Sequence, residues 1–274
     1  MKTLVFGNGW LGNKFSKHFE AHLSLADIGE AGAVKEALVE HQPEVVINAA
    51  GKTGHPNIDW CEFHKEEVAY SNIVGPVVLA KVCNELEIKL VHLSSGCLWD
   101  QILEATEENL PDPPSFYSFS KAVSDSILMS LDVRPLILRL RMPICGEPTP
   151  RNLITKLAGY DKITDLPNSM THVDDLIGAT QSLLEAEASG IFNIVNPGVT
   201  NLPRIMDLYI QYVDPDHEYT VITKEELLTF VAAGRSDCTM STEKLNDLDI
   251  YLPQIEERIE QCMKEYAQFK SEEK

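Results

Sequence analysis

Short apolar runs alternate with longer stretches of helical period through the first half of the chain. "TLVFG" from Thr3 leads into a helical pattern over 10–21, and "HLSLA" from His22 into one over 30–41. "EVVINAAG" from Glu44 leads into 60–87, "KLVHLSS" from Lys89 into 115–131, and a last run, "PLILRLRMPI", begins at Pro135. None of the runs alternates cleanly between apolar and polar, as expected of strands covered on both faces. The β-α-β-α rhythm predicts an α/β fold, a Rossmann-type doubly wound parallel sheet. Beyond about residue 148 the rhythm gives way to proline-punctuated pieces, "EPTPRN", "DLPNSM", "NPGVTNLP", "VDPDHE" and "YLPQ". That texture predicts a smaller C-terminal lobe over 149–274, with 1–148 as the Rossmann domain and 168–198 returning to it. From 253 onward the chain reads as an amphipathic helix ending in a charged, frayed "KSEEK".

Charge narrows the partners. With 23 Lys and Arg against 42 Asp and Glu, the net charge of −19 argues against a sequence-blind grip on nucleic acid or an anionic membrane, which needs clustered cations. Any anionic ligand must be held locally. No window holds about eighteen consecutive apolar residues, and the start "MKTLVFGNGW" lacks a signal-peptide layout, so a cytoplasmic protein is expected. The six cysteines are scattered without a C-x-x-C pair, which points to neither a zinc site nor a disulfide framework. No His/Asp/Glu cluster suggests a metal.

"TLVFGNGWLGNKF" sets Gly7, Gly9 and Gly12 after the first strand and at the opening of the first helix, the context that a G-x-G-x-x-G dinucleotide fingerprint requires. Glycines there allow a tight turn and close approach of backbone to a pyrophosphate, which rests on the helix N-terminus. Asp27 follows closely, and no Arg or Lys lies between His22 and Lys35 to meet a 2′-phosphate. NADH is therefore favoured over NADPH if Asp27 reaches the ribose or adenine; equally, Asp27 fits a cap before "IGEAGAVKEAL".

"FYSFSK" supplies Tyr117 and Lys121 at i and i+4, on one helix face. An ammonium beside a phenol is expected to favour phenolate and lower the Tyr pKa toward neutrality. Ser95, at the end of the preceding strand, can bind the same substrate oxygen.

The order of Gly-rich turn, "NAAG" (Asn48 to Gly51), strand-end serine and Y-x-x-x-K resembles the extended short-chain dehydrogenase/reductase superfamily, which acts mainly on nucleotide sugars. The stretches "NAAGKTGHPNIDWCE", "FYSFSKA", "LRLRMPI", "PRNLITK", "DLPNSM", "NPGV" and "GRSDCTMSTEKL" are similar to the bifunctional nucleotide-rhamnose synthases, 3,5-epimerase/4-reductases of NDP-4-keto-6-deoxyglucose. The resemblance implies Ser95, Tyr117 and Lys121 as the reductive triad, with Cys97 and Lys156 as the epimerising acid/base pair. For the dinucleotide it implies Gly7, Gly9, Trp10, Leu11, Gly12, Asp27, Ile28, Asn48, Ala49, Ala50, Tyr117, Lys121 and Met142. It points to Arg151, Asn152 and Arg235 for the nucleotide diphosphate and to Lys52, His55 and Asn57 for the sugar, although His55 also suits a plain loop. A homodimer would fit the resemblance.

The chemistry explains the extra pair. A C4 ketone acidifies the hydrogens on C3 and C5, so each centre can invert through an enolate if one group takes a proton and another returns one from the opposite face. A single-function 4-keto reductase shares the triad without needing Cys97 and Lys156; a non-catalytic dinucleotide-loaded subunit needs neither. The glycine turn is one residue shorter than is common in extended members, and the loop after the second strand is clipped, so the adenosine contacts depart from the family pattern.

Overall fold

The structure is a computed structural model and describes residues 1–272; the last two residues of "KSEEK" lie outside them. In chain order the strands are β1 (Thr3–Phe6), β2 (His22–Ser24), β3 (Val45–Asn48), β4 (Lys89–Ser95), β5 (Gln101–Ala105), β6 (Leu136–Leu140) and β7 (Pro143–Ile144). They continue as β8 (Lys162–Thr164), β9 (Asn168–His172), β10 (Gly190–Ile194), β11 (Asn196–Thr200), β12 (Thr220–Ile222) and β13 (Asp237–Met240). The helices of the first half are α1 (Trp10–His18), α2 (Ala31–His41), α3 (Asp59–Phe63), α4 (Lys65–Ala69), α5 (Gly75–Glu85) and α6 (Phe116–Ser130). Those of the second are α7 (Leu153–Leu157), α8 (Val173–Glu185), α9 (Leu202–Tyr212), α10 (Lys224–Leu227), α11 (Glu243–Asn246) and α12 (Ile255–Glu272). Among the described residues no helix is long and apolar enough to cross a membrane.

Six strands form one parallel sheet in the order β10-β6-β4-β3-β1-β2. Successive residues of a strand point to opposite faces, and both faces here are apolar. Leu4 and Phe6 join a core with Val34, Leu38, Leu79 and Leu128 under α2, α5 and α6. Val5 joins another with Phe15, Val173, Leu176 and Leu183 under α1 and α8. Strand order reverses direction between β1 and β3, which makes the carboxyl ends of these two strands the crevice of a doubly wound sheet. Only β2 lies beyond β1, so the side that would cover an adenosine is one short strand wide.

The helical pattern over 60–87 is broken into α3, α4, a π-helical turn at Tyr70–Val74 and α5. Pro76 accounts for the wide turn: it has no N–H to offer Asn72 and its ring crowds that carbonyl, so the Gly75 N–H bonds back to Tyr70 O instead.

The second half builds a separate apolar core from Ile144, Ile154, Leu157, Ile205, Met206, Ile259 and Met263. It is laced into the sheet domain at two places. Strand β10 pairs with β6 in parallel, and β13 pairs with β5, a segment immediately past the end of β4. Leu98, Trp99, Ala105, Val195, Cys238 and Met240 fill the junction.

Candidate active site

Ser95 ends β4, and the chain then bends sharply through Gly96. A Cβ on Gly96 would come within 2.3 Å of Met240 Sδ, so a larger residue there would have to push the Met240 side chain aside. The bend is closed by Gly96 N–H donating to Leu140 O at 2.7 Å and by Cys97 N–H donating to Ser95 Oγ at 3.1 Å. Ser95 Oγ therefore accepts from the backbone and has its proton to offer the Tyr117 phenol, whose ionised form it favours. Tyr117 arrives on the first turn of α6, whose start is fixed by Ser115 accepting from Ser118 N–H at 3.1 Å. Cys97 lies close enough to act on the Tyr117 phenol. It is also the one cysteine of the six that is not buried.

Lys121 sits one turn below Tyr117, buried, with its amine donating to Leu93 O at 2.8 Å. Burial pulls the amine down to about 8, with the Asp125 carboxylate opposing. Tyr117 differs from the expectation. Burial, then the nearness of Cys97, push its phenol up, with Ser95 opposing. Here desolvation of the phenolate outweighs the neighbouring amine.

Residues beyond the anticipated set hold this arrangement. Asp125, one turn past Lys121, is gripped in the core by Ser94 Oγ at 2.6 Å and Arg139 Nε at 2.9 Å, which ties α6 to β4 and β6. Asn72, in the π-helical turn, accepts from Lys52 N–H at 2.7 Å and donates to Lys52 O and to Ser120 Oγ, each at 3.0 Å. It thus fastens the loop after β3 to α6. Arg139 and Arg141, two apart in an apolar strand run, carried a visible signal; Asn72 carried none.

At the glycine turn three glycines have three reasons. Gly7 has φ +105°, and a Cβ there would stand 2.4 Å from Ala50 N; one on Gly12 would stand 1.8 Å from Gly7 O. Gly9 has extended backbone at φ −97°, and a Cβ on it meets nothing within 4 Å. Nothing in the protein requires a glycine at that position, which fits a ligand group drawn close to the backbone. The N-terminus of α1 beside it, carrying Trp10 and Leu11, has neither a side-chain cap nor an acidic residue in its first turn, leaving its N–H groups to an anion. Asn48 is fully buried, accepting from Ala50 N–H and meeting His92 Nδ1, each at 3.1 Å. His92 is kept neutral by burial and then by Lys121, so its Nδ1 accepts from the Asn48 amide. Ala49 and Ala50 are thereby presented beside Gly7. Asp27 is exposed and accepts from Gly29 N–H at 2.8 Å, while Ile28 is packed in the core. Met142 has φ +41°, a left-handed conformation that a non-glycine residue adopts at some cost and that clusters at functional sites.

The loop carrying Lys52, His55 and Asn57 is bound from both sides. Arg151 Nη1 donates to Thr53 Oγ1 at 3.1 Å and Gly54 O at 3.0 Å. Arg235 Nη1 meets Asp59 Oδ1 at 2.9 Å, and Ala233 N–H donates to the same carboxylate at 2.9 Å. Burial raises the Asp59 carboxyl, but Arg235 and the Ala233 amide outweigh it and hold it below the usual range. Asn57 Oδ1 accepts from Asp59 N–H at 2.8 Å to start α3. Lys52 and His55 are exposed. Asn152 is fully buried, with its side chain capping α7 and holding Cys145 O at 2.7 Å and Glu147 O at 2.9 Å; it shapes the turn that carries Arg151. Lys156, on α7, is half-buried, and burial, then Arg151, lower its amine from the usual value.

Similarity to known proteins runs the length of this framework. Residues 1–268 match the family described as the RmlD substrate binding domain. The bifunctional dTDP-4-dehydrorhamnose 3,5-epimerase/dTDP-4-dehydrorhamnose reductase of Arabidopsis thaliana is 34% identical over 258 residues, 88% of this chain and 85% of that protein. A trifunctional UDP-glucose 4,6-dehydratase/UDP-4-keto-6-deoxy-D-glucose 3,5-epimerase/UDP-4-keto-L-rhamnose-reductase of the same plant is 35% identical over 90% of this chain, which spans 39% of that longer protein. The crystal structure of the L780 UDP-rhamnose synthase from Acanthamoeba polyphaga mimivirus superposes with a TM-score of 0.90 at 30% identity, covering 97% of this chain and 99% of that one. With a family match that takes in the glycine turn, Ser95, Tyr117, Lys121 and nearly all of the second lobe, the chain belongs to the RmlD substrate binding domain family.

Proposed function

We propose that the chain is a bifunctional 3,5-epimerase and 4-keto reductase that converts an NDP-4-keto-6-deoxyglucose to NDP-L-rhamnose, with NADH or NADPH as cofactor. The named activities of its plant and viral relatives support this reading, and one observation carries it: the accessible Cys97 thiol lies beside the Ser95–Tyr117 pair. A pure reductase has no use for an acid/base group there.

In this reading residues 1–148 with 168–198 hold the dinucleotide and the rest of the chain mainly holds the sugar nucleotide. The backbone at Gly7, Gly9 and Gly12 and the N–H groups of Trp10 and Leu11 would take the pyrophosphate, with Asp27 and Ile28 toward the adenosine. Asn48, Ala49 and Ala50 would line the middle, and Tyr117, Lys121 and Met142 the nicotinamide end. When bound, the reduced nicotinamide supplies a hydride for C4 of the sugar.

The remaining steps belong to side chains. Ser95 and Tyr117 donate to the C4 oxygen and stabilise the enolate that forms when a C3 or C5 hydrogen leaves. Cys97 and Lys156 exchange the proton, one removing it and the other returning it on the opposite face; a thiol and a half-buried amine are both tunable toward neutrality. Tyr117 then protonates the C4 oxygen on reduction, and Lys121 beneath it restores that proton. Arg151 and Arg235 would meet the diphosphate, and Lys52, His55 and Asn57 the sugar.

Solvent exchange separates the two activities. In D2O without reduced nicotinamide, the wild-type protein should wash deuterium into C3 and C5 of the 4-keto sugar, read by NMR. Cys97→Ser should lose that wash-in by at least about a hundredfold, while turnover of a previously epimerised substrate falls far less. Equal exchange in both proteins leaves Cys97 as packing and the chain as a reductase alone.

A further inference from the structure

Arg141 follows β6 and is 1% exposed, yet no carboxylate pairs with it among the described residues. A buried guanidinium without a counter-ion is costly, so its neighbours matter. Nη2 donates to Ser236 O at 2.6 Å and to Asn168 Oδ1, and Nη1 donates to Ser236 Oγ at 3.0 Å and Gly96 O at 3.4 Å. All four acceptors are neutral. The remaining contact is Nη1 to Cys97 Sγ at 3.1 Å, and that sulfur is the one hydrogen-bonded acceptor of Arg141 able to become an anion.

Resting on the epimerase reading of Cys97, we infer that Arg141 is a positioning residue for epimerisation, fixing Cys97 Sγ at the sugar site and serving as counter-charge to its thiolate. The other groups around the sulfur do not compete for that role. Tyr117, from α6, is a neutral phenol. Cys238, from β13, is buried and has its thiol raised by burial, and it donates to Gly96 O at 3.3 Å. The adjacent Asp237 is matched by Lys224 at 2.8 Å. During inversion the C–H bond next to the ketone breaks, its electron pair moves into the enolate, and the proton passes to sulfur. Run in the other direction, the S–H bond breaks and the proton goes to carbon. Either way the sulfur is once an anion beside Arg141, and no oxidation or reduction is involved.

Alkylation tests this without any sugar. Cys97, the cysteine that is not buried, is treated with iodoacetamide across the pH range and quantified by mass spectrometry. Wild-type Cys97 should reach its plateau rate at a lower pH than a free cysteine peptide. Arg141→Gln should move the profile to higher pH and slow alkylation about tenfold at neutral pH, and Arg141→Lys, which keeps the charge without the fork, should fall between them. A wild-type profile no lower than that of the free peptide overturns the inference, as does a folded Gln variant with an unmoved profile. Should the Gln variant not fold, the wild-type profile and the Lys variant decide. Failure of the wild-type protein to wash deuterium into C3 and C5 would instead sink the epimerase reading while leaving the alkylation result standing.

Discussion

Lys121 shows what a single residue costs the fold in order to serve the site. Its amine is buried, and burial pulls it down to about 8 from the ordinary 10.5. Because the folded value lies below the unfolded one, the unfolded chain holds more protons between about pH 8 and 10.5, and stability rises with pH across that window. Below pH 8 the penalty of charging the buried amine is fully present. Lys121→Met should therefore make the protein more stable at pH 7 by an amount on the order of 2–3 kcal/mol, several degrees in melting temperature, while abolishing reduction. The advantage should shrink as pH climbs toward 10. Thermal melts of both proteins near pH 7 and near pH 9.5 test it; an advantage of equal size at both would mean that packing, not charge burial, sets the difference. Tyr117 shows why spacing alone misjudges such groups. The i, i+4 relation to Lys121 is legible in "FYSFSK", but the balance between a neighbouring amine and desolvation depends on how deeply α6 is seated, which the Ser94–Asp125–Arg139 contacts decide.

Elements read from the pattern fared according to how local their causes are. The strand runs, α1, α2 and α6 lie where periodicity puts them, because each has an apolar face of its own to bury. The break of 60–87 turns on Pro76 and an unusual hydrogen-bond register, and the pairing of β5 with β13 joins segments more than 130 residues apart with no mutual signal in either. Within the glycine turn, the motif marks three positions but not their different reasons, and these give a prediction. Gly7→Ala combines a left-handed φ with a Cβ 2.4 Å from Ala50 N, so it should destabilise the fold by several kcal/mol and lose dinucleotide binding with it. Gly9→Ala meets nothing within 4 Å; its melting temperature should stay within about 1 °C of wild type, while affinity for the dinucleotide falls at least about tenfold, since a methyl then stands where backbone must approach phosphate. Calorimetry of both variants checks this, and unchanged affinity in Gly9→Ala would place the pyrophosphate elsewhere.

At the scale of the molecule the two lobes are interleaved, not strung in sequence, and that decides how the chain comes apart. Strand β6 is sandwiched between β4 and β10, so Leu136 and Leu138 owe their complete burial to residues 190–194 as much as to the first half. Strand β5 has its partner in 237–240, and the buried Arg141 finds its acceptors in Asn168 and Ser236. Cutting the chain at 148 would strip a sheet edge and the outer face of its apolar core, and take from a buried guanidinium its acceptors in Asn168 and Ser236; each loss is of the kind that costs several kcal/mol against a total stability of only about 5–15 kcal/mol. The isolated 1–148 segment should therefore show no cooperative melt, although it contains the whole glycine turn, Ser95, Tyr117 and Lys121. The full chain should unfold in a single transition, with far-UV circular dichroism and tryptophan fluorescence coincident, because Trp10 reports from α1 and Trp99 from the junction of the lobes. Two resolved transitions, or a 1–148 segment that melts cooperatively and binds dinucleotide, would show that the sheet domain is self-sufficient and that the second lobe only covers the sugar. One shared transition would mean that the residues which the proposed function assigns to the two lobes, Ser95 and Tyr117 in one and Arg151 and Arg235 in the other, are held in register by the same cooperative unit that holds the core.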